Sequence, residues 1–323
     1  MGTQEHILVT GGAGFIGSHL VERLLADGQA VVVIDDLSTG CRENLQSVRN
    51  HSQLRLLPER VSECAELPDL VARAASIYHL AAAVGVELVL HSPVRTIQTN
   101  LRETEVILAA AGRHGVPVLL TSTSEVYGKS QKESFAEDDD LLIGPPTQGR
   151  WSYACSKLMD EFLALAYARE TGLPVIVARL FNTVGPRQTG RYGMVLPRFI
   201  DAAKTDKPLR VFGDGLQTRC FCAVTDTVEA LVRLQNSPGA RGQTINVGST
   251  EEISIMELAR LVIRTLRSNS PIEVVPYEKA CPGGYEDMLR RRPDLTKLVA
   301  LTGFKPARSV RTVIESIVAR PTP

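Results

Sequence analysis

The sequence of 323 residues has no excess of either charge, few aromatic residues and no long apolar run. Lysine and arginine number 36, as do aspartate and glutamate, so the formal net charge is zero at pH 7. This balance argues against a role in binding nucleic acid or an anionic membrane surface. The longest apolar stretch, Ile77 to Leu90, is interrupted by Gly85 and Glu87 and is too short to span a bilayer. We therefore expect neither nucleic acid nor a membrane among the partners.

Cysteine is also scarce. Six cysteines in a chain of this length do not make the disulfide framework of a small secreted protein. Cys220 and Cys222 lack the neighbouring ligands that a zinc site requires, so we expect no metal. The chain enters an apolar strand almost at once, which leaves no room for a signal peptide. We therefore expect a cytoplasmic protein.

What the sequence does contain is a glycine-rich turn near its start, in the segment HILVTGGAGFIGSHL. Gly11 allows a tight turn after the apolar strand, and Gly14 lets backbone N–H groups approach a pyrophosphate. Gly17 lets the following helix pack on the sheet, and the N-terminus of that helix attracts phosphate. The residues predicted at this part of a dinucleotide site are Gly11, Gly14, Phe15, Ile16 and Gly17.

A second apolar strand ends in an acid at the spacing that a ribose contact requires. Residues 30–34 read AVVVI, and Asp35 follows eighteen residues after Gly17. A carboxylate at this position accepts hydrogen bonds from the adenosine ribose and repels a 2′-phosphate. The sequence therefore predicts NAD rather than NADP as the cofactor, with Asp35 in contact with it.

Strand and helix patterns alternate through the first half of the chain, which predicts an α/β protein with a Rossmann-type, doubly wound parallel sheet. After Asn182 the loops lengthen, which is typical of a smaller substrate-binding domain interleaved with the first. The predicted division is an NAD-binding domain over 1–182, to which 220–248 returns, and a substrate-binding domain over 183–219 and 249–323.

A second group of residues has the pattern of an acid–base site. Tyr153 and Lys157 lie four residues apart at the start of a long helix, so their side chains share one face. The segment TSTSEVYG, which begins at Thr121, follows an apolar strand and adds hydroxyls and a carboxylate. A lysine ammonium and a positive nicotinamide ring would both lower the pKa of Tyr153 from about 10. With a lowered pKa, Tyr153 could act as a general base and take a proton from a sugar hydroxyl. Thr123 could hydrogen-bond that same hydroxyl.

These motifs together resemble those of the extended short-chain dehydrogenases/reductases that act on nucleotide sugars, over nearly the whole chain. The resemblance implies a catalytic trio with two neighbours: Thr123, Tyr153 and Lys157, with Ser124 and Glu125. It implies further cofactor contacts after the second strand, in the HLAA segment and from the catalytic pair: Asp36, Leu80, Ala81, Ala82, Tyr153 and Lys157. It also implies a set of residues around the nucleotide: Asn182 and Arg219 at the diphosphate, Val195, Leu196 and Phe212 at the base, and Arg292 and Asp294 at phosphate and ribose.

One departure from the resemblance concerns the adenine. Where relatives place an aspartate near the adenine amine, this chain reads Glu59, Arg60 and Val61.

The family resemblance implies a shared first step, in which a C4 hydroxyl loses a proton to Tyr153 and C4 loses hydride to NAD. A UDP-sugar 4-epimerase is our first expectation, with UDP-glucose/UDP-galactose or UDP-glucuronate/UDP-galacturonate as substrates, because residues 79–86 and 190–197 resemble epimerase loops. A UDP-glucuronate decarboxylase is the alternative, since Thr123, Ser124 and Glu125 resemble the decarboxylase pattern. A 4,6-dehydratase is disfavoured because Ser124 replaces its acid. A catalytically silent NAD-binding regulator is disfavoured because the trio is intact.

Two further expectations concern the sugar and the assembly. Arg191, in GRYG, could hold the carboxylate of a uronate in bidentate fashion and suppress loss of CO2. Alternatively, Arg191 is a solvated loop residue. Segments 97–114 and 153–171 resemble the helix pair through which the family forms homodimers, so we expect a homodimer.

Overall fold

A seven-stranded parallel sheet forms the centre of the fold. The computed structural model describes residues 5–84, 91–190, 194–276 and 290–319. The strands of the central sheet are β1 (His6–Thr10), β2 (Val31–Ile34), β3 (Leu54–Leu57), β4 (Ala74–His79), β5 (Val118–Thr123), β6 (Val175–Leu180) and β11 (Gln243–Val247). Their order is β11-β6-β5-β4-β1-β2-β3, and every pairing is parallel. The expected doubly wound sheet is confirmed, and its order reverses direction at β1, where such sheets bind ligands.

Helices cover both faces of this sheet and bury an apolar layer on each. One face carries α1 (Phe15–Ala26), α6 (Val224–Gln235) and α8 (Thr296–Thr302). The other face carries α2 (Leu67–Ala72), α3 (Pro93–His114) and α4 (Trp151–Thr171). Neighbouring residues of β1 alternate between the two layers, Leu8 toward α3 and Val9 toward α1, because successive side chains of a strand point to opposite faces.

A smaller lobe has its own core. It contains the short strands β7 (Thr183–Val184), β8 (Leu209–Phe212), β9 (Thr218–Cys220), β10 (Cys222–Ala223), β12 (Glu252–Ser254) and β13 (Ile272–Val275). Its helices are α5 (Val195–Lys204), α7 (Ile255–Leu266) and α9 (Val310–Ala319), which pack apolar faces together. A capping box between Ser254 and Glu257 begins α7. Within 220–248, β11 joins the central sheet beside β6; the domain division itself stays a prediction.

The carboxyl ends of β1, β4, β5 and β6 meet at one edge of the sheet, where the motifs of the sequence are gathered. Thr10 ends β1, His79 ends β4 and Thr123 ends β5. No helix within the described residues is long and apolar enough to cross a bilayer.

Candidate active site

The glycine turn after β1 is packed too closely for side chains. Gly11 has φ +71°, and a Cβ there would lie 2.7 Å from the backbone nitrogen of Ala81. A Cβ on Gly17 would lie 2.1 Å from the carbonyl oxygen of Gly11. The start of α1 therefore packs directly against the turn. The first N–H groups of a helix have no partner within the helix, and those of α1, among them Phe15 and Ile16, lie at this edge of the sheet.

The segment after β4 lies directly against this turn. The backbone nitrogen of Leu80 donates to the carbonyl of Thr10 at 3.1 Å, and that of Ala81 donates to the Thr10 hydroxyl at 3.2 Å. The structure therefore brings Leu80 to Ala82 beside the glycine turn, as the sequence predicts for one cofactor site.

Two acids follow β2 at the same edge. Asp35 accepts hydrogen bonds from the backbone nitrogens of Ala13 at 2.8 Å and Leu37 at 2.9 Å. Burial raises the pKa of Asp35, and those two backbone donors oppose the rise. Asp36 accepts from the nitrogen of Ser38 at 2.9 Å and from Nε of Arg60 at 3.3 Å.

These residues fit a dinucleotide. A carboxylate has about four acceptor positions, so Asp35 keeps capacity for two ribose hydroxyls after its two backbone bonds. The turn offers backbone donors and no Cβ in the path of a pyrophosphate. In the segment expected near the adenine, the Arg60 guanidinium pairs with Asp36 and Glu63.

The three residues expected to perform the chemistry come together beyond the cofactor turn. Tyr153 and Lys157 lie on the first turns of α4, and Thr123 ends β5. The Thr123 hydroxyl accepts from the backbone nitrogen of Glu125 at 3.2 Å and also hydrogen-bonds Tyr153. Ser124 is buried at the start of the next turn. The arrangement can carry a proton between a tyrosine and a substrate hydroxyl, with a lysine near by.

The charge around the tyrosine differs from expectation. Burial raises the pKa of Tyr153, and the carboxylates of Glu125 and Asp160 raise it further, whereas the Thr123 hydroxyl opposes the rise. Lys157 Nζ donates to Asp160 Oδ2 at 2.8 Å, so a carboxylate offsets the ammonium that was expected to favour the phenolate. The protein groups thus hold the pKa of Tyr153 above its ordinary value rather than below it.

A charged cluster lies next to Tyr153. Arg291 Nη1 donates to Oε1 of Glu125 at 3.0 Å, and Arg150 Nη2 lies 3.9 Å from Oε2. Both arginine side chains are only 9% exposed, whereas Glu125 is 23% exposed. Neither arginine was predicted from the sequence. They stand in the segments RWSYACSK, at 150–157, and RRRP, at 290–293, where nothing in the sequence distinguishes a buried arginine from an exposed one.

The residues expected around the nucleotide lie in and beside the smaller lobe. The Asn182 side chain donates to the carbonyl of Cys220 at 3.1 Å, which places it beside Arg219 on β9. Asn182 also has φ +31°, a left-handed conformation that is uncommon outside glycine and marks functional sites. The guanidinium of Arg198 stacks 5.0 Å above the ring of Phe212.

The remaining residues expected at the base, the phosphate and the ribose differ in burial. Val195 is half-buried at the start of α5, but Leu196 is fully buried in the core of the smaller lobe and has no exposed face for a base. The side chain of Arg292 is exposed, and its carbonyl accepts from the nitrogen of Phe135. Asp294 accepts from the nitrogen of Thr296 at 2.8 Å. Arg191 lies outside the described residues.

Comparison with known proteins agrees with this geometry. The model of the NAD dependent epimerase/dehydratase family matches residues 7–248. The chain belongs to this family. Its cofactor is therefore NAD, as Asp35 predicts.

Individual relatives are of two kinds. The chain is 41% identical over 304 residues to a UDP-N-acetyl-alpha-D-glucosaminuronate decarboxylase of Bacillus cytotoxicus, covering 94% of this chain and 93% of that one. It is 37% identical to UDP-glucuronic acid decarboxylase 4 of Arabidopsis thaliana, covering 94% of this chain and 66% of the relative. Among solved structures, a UDP-glucuronic acid 4-epimerase of Bacillus cereus in complex with UDP-glucuronic acid and NAD has a TM-score of 0.87 at 28% identity, with 97% and 98% of the chains covered.

Proposed function

We propose that this chain is an NAD-dependent decarboxylase of a UDP-linked uronic acid, either UDP-glucuronate or its 2-acetamido analogue. The relatives with the higher identity are decarboxylases of those two substrates. They favour the decarboxylase alternative over the 4-epimerase that the loop sequences suggest.

The observation that carries the proposal is the Glu125–Arg291 ion pair beside Tyr153. A 4-epimerase moves one proton on and off the C4 oxygen, for which Tyr153 is sufficient. A decarboxylase needs a second proton, because loss of CO2 leaves an enolate whose C5 must be protonated. Glu125 is an acid–base group outside the trio, on the turn that follows Thr123.

The residues can be assigned to steps of such a reaction. Bound NAD+ would accept hydride from C4 and return it there, so the net reaction needs no added oxidant. Tyr153 takes the C4 hydroxyl proton, which leaves a ketone β to the C6 carboxylate. The C5–C6 bond then breaks, CO2 leaves, and its electron pair forms an enolate. Thr123 and Lys157 stabilise the negative oxygen by hydrogen bonding and charge. Glu125 relays a proton from solvent water to C5, so the net reaction takes up one proton for each CO2 released, and Tyr153 returns its own proton to the C4 oxygen as hydride returns to C4.

Turnover in D2O separates the candidate reactions. We expect UDP-glucuronate or UDP-N-acetylglucosaminuronate, supplied separately with NAD+, to release CO2 and to yield a UDP-pentose with one deuterium at C5 by NMR. Tyr153→Phe is the control for contaminating activity. A product that retains C6, with its C4 configuration inverted and no deuterium at C5, would assign the protein as a 4-epimerase instead. That second candidate is supported by the likeness to the Bacillus cereus 4-epimerase.

A further inference from the structure

A buried aspartate lies beside the lysine of the trio, and the steps above make no use of it. Asp160 follows Lys157 by nearly one turn of α4, and its Oδ2 accepts the 2.8 Å hydrogen bond from Lys157 Nζ. The side chain of Asp160 has no exposed surface, and that of Lys157 is 3% exposed. Two opposite charges are therefore enclosed together behind the site.

Stability alone is a poor explanation for this pair. Burial raises the pKa of Asp160, although Lys157 and a hydrogen bond from Thr104 oppose the rise. Taking charges out of water costs free energy, and a buried ion pair seldom stabilises a protein more than apolar packing does. Ionisable groups perturbed in this way cluster at functional sites.

We propose that Asp160 is a positioning residue for Lys157, holding its ammonium in place and offsetting part of its positive charge at Tyr153. An ammonium has three donors, so the bond to Asp160 leaves two for the cofactor and the tyrosine. The proposal rests on Tyr153 being the base, as in the proposed function, and it holds whether the enzyme decarboxylates or epimerises its substrate.

Other groups around the pair do not supply the same effect. Burial and the charge of Lys157 lower the pKa of His79, on β4, to about 3, so this imidazole is neutral. Thr104, on α3, hydrogen-bonds His79 Nε2 at 3.2 Å and also the carboxylate of Asp160, and it adds no charge. Glu161, next to Asp160, is held by Arg179 at 2.8 Å. The carboxylate of Asp160 is thus the negative charge in direct contact with Lys157.

Two carboxylates raise the pKa of Tyr153, Asp160 on α4 and Glu125 on the turn after β5. Glu125 is itself paired with Arg291 and near Arg150. Removing the charge of Asp160 would leave the Lys157 ammonium uncompensated, which favours the phenolate. With Asp160 present, Tyr153 retains its proton more firmly, and the positive charge of NAD+ would then have the larger share in making it a base.

Ionisation of Tyr153 in the NAD+ complex, without any sugar, tests the proposal independently of the reaction catalysed. It is measured as the ultraviolet difference absorbance of tyrosinate, with Tyr153→Phe as the blank. We expect Asp160→Asn and Asp160→Ser to lower the apparent pKa of Tyr153 by about one unit, as expected when an uncompensated opposite charge lies near by. Ile107→Val, which alters buried packing on α3 without changing a charge or a hydrogen bond, and Asp160→Glu, which keeps the charge, should titrate as the wild type does.

Several results would overturn the proposal. An unchanged or raised pKa in the neutral variants would show that Asp160 does not offset Lys157. A shift in Ile107→Val equal to that in Asp160→Asn would attribute the effect to packing. Failure of both neutral variants to fold would assign Asp160 a structural role. If the neutral variants shift as expected but the wild type yields a product other than a UDP-pentose, this proposal stands and the decarboxylase assignment is refuted.

Discussion

The cofactor end and the sugar end of the candidate site are built differently. At the cofactor end, the site consists of backbone N–H donors and of glycines, which have no side chain. A Cβ on Gly11 or Gly17 would meet backbone atoms within 3 Å. At the sugar end, charged side chains make it, with Glu125 in contact with Arg291 and near Arg150. The first end depends on how closely one strand, turn and helix pack. The second depends on charges that the fold brings together from distant parts of the chain.

The largest expected effect comes from removing the hydroxyl of Tyr153, which should impair the sugar end of the site and leave the cofactor end intact. Tyr153→Phe keeps the ring and removes the group that takes the proton, so turnover should fall by about a hundred- to ten-thousand-fold. The NAD content of the purified protein should not change, because the glycine turn is untouched. Tyr167→Phe, on the same helix α4, is the matched control. Turnover within a few-fold of the wild type in Tyr153→Phe would exclude this tyrosine as the base.

The contrast between the two ends also explains what the sequence could predict. The glycines and Asp35 are read from short spacings within one strand–turn–helix–strand unit, and that unit alone fixes their geometry. Glu125 and Arg291 are 166 residues apart, so only the folded chain brings them into contact. Of three consecutive arginines, the resemblance selects Arg292, as a contact to phosphate and ribose. The backbone also turns Arg291 inward, because Arg292 and Asp294 bond through their main chain to Phe135.

The second prediction tests that choice between neighbouring arginines. Arg291→Ala removes a buried guanidinium from Glu125 and should cost about 1.5–3 kcal/mol of transition-state stabilisation, as for hydrogen bonds to charged groups. Arg292→Ala, which truncates an exposed side chain, should have the smaller effect. The measurement is kcat/KM for the uronate on which the wild type proves active. The reverse ranking would show that the nucleotide contact expected of Arg292 matters more to the reaction than the Glu125–Arg291 pair does.

The third prediction tests the cofactor end with two helical glycines. A Cβ on Gly17 would lie 2.1 Å from the Gly11 carbonyl oxygen, so Gly17→Ala should destabilise the fold by roughly 1–3 kcal/mol, as overpacking does, and weaken NAD retention. Gly112→Ala, on α3, is the matched control because its nearest contact would be an ordinary 3.4 Å to Tyr167. This change should raise helix stability by roughly 0.5–1 kcal/mol. Thermal unfolding and bound NAD report both effects; equal behaviour of the two variants would argue against steric closure at Gly17.

The smallest expected effect on turnover concerns a surface that belongs to neither end. Phe162 and Met159 are neighbours on α4 and are 58% and 53% exposed. Two large apolar side chains side by side on a helix are typical of an interface, and we expect a homodimer with this face at its axis. Phe162→Glu should therefore give a monomer by light scattering at micromolar concentration, with turnover per chain little changed.

Leu216→Glu is the control, since Leu216 is 71% exposed on the smaller lobe. It should leave the dimer intact, because a single exposed leucine needs no partner to explain it. A wild-type monomer would remove the interface altogether, whereas dissociation by both variants would place it on a different face.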